Sequence, residues 1–365
     1  MTKSRIRDLG VPLEGQPGRW NAITDVPGVT VGHVTIIQGA GPRQVGVGPV
    51  RTGVTAICPR GENPEPVLGA WYSLNGCGEM TGTIWLEESG LLLGPVMITN
   101  TFSVGVVRDA VIEWFTRKYH SIIGMPVVAE TWDGLLNDID GFHVKGEHAR
   151  QALAATASGP VEEGNVGGGT GMICHGFKGG IGTSSRALAE TDGGWTVGVL
   201  VQANHGQRKY LCVAGAPVGQ EITDLRPEIH SGEFSVDSSS IIVIVATDAP
   251  LLPHQLKALA RRVPLGIARV GGNGEIFSGD IFLAFSTQPL VEADQRHVRP
   301  LNMLNLPGLT PLYEATAQAT EEAILNALSA AETMTGCDHN TVHALPKDRL
   351  IEALKKYCRH TGSAQ

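Results

Sequence analysis

The stretch "VDSSSIIVIVATDAP", residues 236–250, decides the reading of the chain. From Ile241 to Ala246 it is an unbroken, largely β-branched apolar run, closed by Asp248 and Pro250, which predicts a short strand buried on both faces. Serines in front of a strand are ordinarily turn punctuation. A serine that heads a rigid strand can also do chemistry, provided something takes its proton, because a serine hydroxyl is a weak nucleophile unaided. A backbone break just before Ser240 would put an α-amine, with a pKa of roughly 7.7–8.0, on the same residue as the hydroxyl. The polar, turn-prone segment 228–239 reads as an exposed connection free to leave. Two readings therefore stand on these residues: a turn followed by a core strand, or a self-processing serine nucleophile.

Further strand-like runs lie at 28–37, 53–59, 95–101, 126–131, 195–204 and 279–287. Helical spacing of apolar residues appears at 104–119, 253–270, 314–334 and 343–357, the second opening on Pro253. Strands and helices do not alternate strictly, which argues against a doubly wound nucleotide fold and for layered α/β with sheet on sheet and helices outside. No linker or repeat divides the 365 residues, so a single domain is expected.

A formal net charge of −8 with no basic run excludes nucleic acid and anionic membrane as expected partners. The N-terminus lacks the apolar core of a secretory signal, and the longest apolar runs fall far short of a membrane span. Six scattered cysteines without a CxxC pair fit reduced thiols in a soluble cytoplasmic protein, none favoured as a nucleophile. The Gly-rich stretch 164–186 lacks GxxxxGK[ST] and a clean GxGxxG, and reads as a pair of tight turns. Cys337, His339 and His343 have a loose metal-like spacing without HExxH, and a solvated connection is the plainer reading. His33, His175, His205 and His254 read as structural, and no GxSxG elbow marks a hydrolase triad.

Taken together, "NAITDVPGVTVGH" (21–33), "NGCGEMTG" (75–82), "TNTFSVG" (99–105), "AETWDG" (129–134), "KGGIGTSSR" (178–186), "VLVQANHG" (199–206), "SIIVIVATDAPLLPHQLKALARR" (240–262) and "SGDIFLAFST" (278–287) resemble the β-aminopeptidase family of L-aminopeptidase/D-amidase/D-esterase enzymes, in order and with similar spacing. The resemblance implies an αββα four-layer sandwich like that of N-terminal nucleophile hydrolases, with different strand connectivity. It implies self-cleavage into an α chain, 1–239, and a β chain, 240–365, and assembly as a homo-oligomer, commonly a tetramer of αβ units. Substrates would be short peptides, amides or esters with a free amine, and no metal or organic cofactor is expected.

Carried over residue by residue, the resemblance makes Ser240 the nucleophile, Ser278 and Asp280 the pair that orients it, Asn204 the oxyanion donor and Glu130 the holder of the substrate amine. Trp132 stands where relatives often carry Tyr, so a pocket role passes to an indole that donates but does not accept. Ser239 stands where relatives place Gly or Asn before the scissile bond, a departure that bears on cleavage. Ser239 or Ser238 as nucleophile would shift the register of the following strand. The alternatives are a self-processing acyltransferase of similar architecture, which would use Thr, and an unprocessed ligand-binding relative without turnover.

Overall fold

In the computed structural model, residues 4–120, 124–230, 239–292 and 295–361 are described. Strands β1 (Thr30–Gln38), β2 (Val50–Cys58), β3 (Val67–Ser73), β4 (Leu91–Leu92), β5 (Val96–Asn100), β6 (Val127–Thr131), β7 (Gly180–Ala187), β8 (Thr196–Asn204), β9 (Ser240–Thr247) and β10 (Ile281–Ser286) form the two main sheets. One sheet has four strands in the order β1-β2-β5-β6, and the other has six in the order β4-β3-β10-β9-β8-β7. The helices are α1 (Thr83–Ser89), α2 (Val104–Tyr119), α3 (Gly146–Ala154), α4 (Pro253–Ala260), α5 (Val263–Val270), α6 (Leu309–Ala330) and α7 (Lys347–Lys356), with a single turn at Val218–Glu221 besides.

Side-chain alternation explains the layering. In β9, Ile241, Val243 and Val245 pack with Leu256, Leu259, Ile267 and Leu312 under the helices, while Ile242, Ile244 and Ala246 pack with Val31, Ile98 and Ala129 of the facing sheet. A third apolar cluster joins the outer face of the four-stranded sheet, through Ala56, Met97 and Val128, to Val107, Val111 and Ala149 of α2 and α3. Helix, sheet, sheet and helix follow one another, as the resemblance implies. Gln202 links the two sheets, its Nε2 donating to Thr99 O at 3.0 Å and to Thr131 Oγ1 at 2.7 Å.

The stretch 164–186 is more than a pair of turns. It holds a 3₁₀ turn, Gly167–Gly169, a small hairpin joining Ile173–Cys174 to Phe177–Lys178, and the edge strand β7. Its glycines answer to packing: a Cβ on Gly182 would lie 2.0 Å from Ala323 O and 2.6 Å from Ala327 N of α6. Residues 253–270 form two helices, because Pro264, without an N–H, sits in the first turn of the second. Of the segment 228–239, residues 231–238 lie outside the described residues, and Ser239 is buried at 6% exposure, against the expectation of an exposed connection. No helix among the described residues is long and apolar enough to cross a membrane.

Candidate active site

Chemistry-bearing residues converge where β8 ends and β9 begins. Antiparallel register sets Asn204 directly opposite Ser240, and alternation turns both toward the facing sheet. On the other side β9 runs parallel to β10, with Ile242 level with Ile281. That brings Ser240 beside Gly279, whose N–H donates to Ser240 Oγ at 3.0 Å. A Cβ on Gly279 would meet Cys77 O and Gly78 Cα at 2.6 Å, so the 75–82 loop lies flat against the Ser278-Gly279-Asp280 turn.

Asp280 is the hub of this turn. Its Oδ1 accepts from Ser278 Oγ at 2.5 Å and from Ile241 N–H at 3.2 Å, and its Oδ2 accepts from Asn75 Nδ2 at 3.3 Å. Asn75 Oδ1 accepts in return from Asp280 N–H at 2.8 Å. Burial pushes the Asp280 carboxyl up to about 6, against the pull of these hydrogen bonds. Asp280 and Ser278 thus stand one residue along the backbone from the nitrogen of Ser240.

The Asn204 amide is fixed in one orientation. Its Oδ1 accepts from Ile173 N–H at 2.7 Å and its Nδ2 donates to Trp132 O at 3.1 Å, leaving that nitrogen a second N–H. Trp132 therefore meets Asn204 through its main-chain carbonyl. Trp132, Asn204 and Ser239 line a cavity of about 220 Å³, together with Leu135, Ile173 and Arg208. Glu130, at the end of β6, is 3% exposed. Its Oε1 accepts from Glu79 N–H at 2.9 Å and its other oxygen from the Thr101 hydroxyl. Burial raises its carboxyl above the usual range while the two donors pull it down.

Ser240 Oγ has no base against it: among the described residues its hydrogen-bond partner is a donor, the Gly279 N–H. Sequence reasoning names Ser240, Ser278, Asp280, Asn204 and Glu130, and the fold gathers them at one end of the sandwich. It does not single out Gly279, Asn75, Glu79 or Thr101, although "NGCGEMTG" and "TNTFSVG" carry the signal. Ser238 lies outside the described residues. Cys337, His339 and His343 do not form one ligand set: Cys337 Sγ donates to Pro49 O at 3.4 Å, His343 Nε2 pairs with Glu228 at 2.9 Å, and His339 faces solvent.

Two sheets thus pack face to face around a central strand headed by Ser240. The family described as peptidase family S58 matches residues 21–342. The chain is 54% identical to the beta-peptidyl aminopeptidase BapA of Sphingosinicella microcystinivorans, over 97% of this chain and 93% of that protein. A Burkholderia sp. beta-aminopeptidase structure superposes with a TM-score of 0.88 at 48% identity, covering 97% of this chain and 99% of that one. The L-aminopeptidase D-Ala-esterase/amidase of Ochrobactrum anthropi, described as a prototype of the serine aminopeptidases and a variant of the Ntn hydrolase fold, superposes at 0.89 with 46% identity over 98% and 99%. The chain belongs to peptidase family S58, and it is a serine aminopeptidase.

Proposed function

We propose that Ser240 first severs the chain at its own amino side and then removes N-terminal residues from short peptides and amides. In the first stage Ser240 Oγ attacks the Ser239 carbonyl. The C–O bond forms as the C–N bond breaks, the freed nitrogen keeps the hydroxyl's proton, and water hydrolyses the ester. Chains 1–239 and 240–365 result, held in one sandwich. In the second stage the new α-amine of Ser240 takes the proton of Oγ as it attacks the substrate carbonyl, and Ser278 with Asp280 hold that amine. The second N–H of Asn204 stabilises the tetrahedral oxyanion. Glu130 receives the substrate ammonium, which selects terminal over internal residues. The acyl-enzyme is then hydrolysed.

The observation that carries this reading is the environment of Ser240 Oγ: an N–H donor, an opposed amide, an acid–hydroxyl pair one residue away and, among the described residues, no base in contact. A hydroxyl so placed becomes competent once its own residue supplies the acceptor. The names of the relatives point to N-terminal β-amino-acid residues as the first substrates to test, with L-amino-acid amides and D-alanyl esters next. Assembly of αβ units into a homo-oligomer belongs to the same reading. Ser240→Ala is the test. It should leave one uncut chain unable to hydrolyse a β-alanyl amide, and either cleavage or turnover by this variant would move the nucleophile elsewhere.

A further inference from the structure

Against the cavity lined by Ser239 and Asn204 lie three buried soft ligands that the proposed chemistry does not use, one of which, His205, forms part of its wall. Cys174 and His175 are 0% exposed and His205 is 2% exposed. Cys174 Sγ lies 3.8 Å from His205 Nδ1, and one ligand atom from each of the three residues lies within 4.8 Å of the others. The two imidazoles meet edge to face with centroids 5.2 Å apart. His175 donates through Nδ1 to Gln207 O at 3.1 Å, which fixes its tautomer and leaves the Nε2 lone pair, and that nitrogen has no partner among the described residues. His205 Nε2 has none either.

Two buried imidazoles each carry an unpartnered Nε2, and the Nδ1 of one lies 3.8 Å from the Cys174 thiol, an arrangement that calls for a physical explanation because buried polar atoms are nearly always satisfied. The backbone is shaped to bring them together. His175 sits at φ +50° and Gly176 at φ +69° in the tight turn of the 173–178 hairpin. A Cβ on Gly206 would strike the His175 ring at 2.3 Å, so only glycine lets the ring lie there. His205, Gly176 and Gly206 also line the cavity, which gives the cluster an opening to solvent.

We propose that Cys174, His175 and His205 form a site for one soft divalent cation such as Zn²⁺, and that its occupancy lowers amide hydrolysis at Ser240. A tetrahedral zinc with bonds of about 2.0–2.3 Å holds its ligand atoms roughly 3.3–3.8 Å apart. The Cys174–His205 pair already has that spacing, and the widest pair closes by about 1 Å through side-chain rotation. A Cys-His-His donor set leaves the fourth position to water from the cavity, and thiolate with imidazole selects zinc over magnesium or calcium. On binding the cation, the Cys174 thiol releases its proton to solvent.

The coupling to activity rests on the roles proposed for Ser240 and Asn204. The bond that orients the Asn204 amide runs from Ile173 N–H. Ile173 precedes Cys174 and Asn204 precedes His205, so a cation held by Cys174 and His205 pins both ends of that bond and keeps the amide from adjusting to the developing oxyanion.

The test uses the purified full-length protein after chelator dialysis, titrated with Co²⁺ as a spectroscopic probe and then with Zn²⁺ in competition. One Co²⁺ per chain should give a thiolate charge-transfer band and tetrahedral d–d bands, both removed by equimolar Zn²⁺. Cys174→Ala, which takes nothing from the reacting atoms, should lose the thiolate band, bind at least 100-fold more weakly, keep its metal-free turnover and resist Zn²⁺ inhibition at least tenfold better than the wild type. His175→Gln, with the thiol intact, should weaken Co²⁺ binding if Cys174→Ala does not fold. No thiolate band at one equivalent, or the same band in Cys174→Ala, would overturn the site. A band without inhibition would overturn the coupling to Asn204. A wild type without any turnover would instead overturn the proposed roles of Ser240 and Asn204, and the band would still decide the metal site.

Discussion

Asp280→Asn separates the cost of a buried carboxylate from its use. Asp280 titrates at about 6 in the folded protein, against an ordinary value of 3.8. A carboxyl raised in the folded state favours folding while it is protonated, and that contribution is lost as pH rises through the folded pKa. With these two values, ionisation of Asp280 alone lowers stability by about 1 kcal/mol at pH 4.5 and by about 3 kcal/mol at pH 7.5. Asparagine does not titrate. The stability of Asp280→Asn relative to Asp280 should therefore improve by about 2 kcal/mol between pH 4.5 and pH 7.5. The substituted amide can still accept from Ser278 and Ile241 through its oxygen, but its nitrogen would face Asn75 Nδ2. That mismatch shifts the absolute value at every pH alike and leaves the slope untouched. Asp133 and Glu163, both raised to about 7 by burial, titrate equally in the two proteins and cancel. The assay is urea unfolding of both proteins in a Ser240→Ala background, which holds both chains uncut. A relative stability that stays flat with pH would show that Asp280 is not strained by burial, and the argument for it as a costly, retained functional group would fail. With Ser240 intact, Asp280→Asn should also lose turnover.

Glu130→Gln should lower kcat/KM for free-amine substrates by about 100-fold, the effect of removing one partner of a buried ion pair, measured against the same variant's urea midpoint as a folding control. Because the Glu130 carboxyl is raised by burial, wild-type affinity for the substrate ammonium should fall as pH drops, starting above the ordinary carboxylate range, and a KM–pH profile reads this directly. Asn204→Ala should cut kcat by about 10²–10³, in line with the loss of one oxyanion donor, in a stopped assay with saturating amide. Gly182→Ala should destabilise by roughly 1–3 kcal/mol or more, since its Cβ meets the α6 backbone, and a thermal melt measures it without touching the site.

The strand that holds Ser240 was legible because Ile241–Ala246 can hardly be anything but a strand with both faces covered, and the layers follow once both faces need partners. β7 was not legible. Gly180, Gly182 and the Thr183-Ser184-Ser185 run look like turn residues, and only the close approach of α6 makes glycine and small side chains the right choice for a strand there. The break in 253–270 was written in Pro264 but was outweighed by the apolar spacing on either side. Among the site residues, the ones readable in the chain offer side-chain chemistry at a motif. Gly279 was missed because its contribution is a backbone N–H, and Asn75 because its partner lies 205 positions away. Cys174 and His205, 31 residues apart, meet only because a hairpin folds onto the end of β8.

The central claim is a nucleophile whose proton acceptor is its own amino group, and an intact mass measurement on the active enzyme tests it most directly. Active protein should give two polypeptides, residues 1–239 and 240–365, whose masses sum to the continuous chain plus one water, and a slow ester substrate should leave its acyl group on the smaller. Full activity in a single unbroken chain, or an acyl group on any fragment without an amino-terminal Ser240, would contradict it.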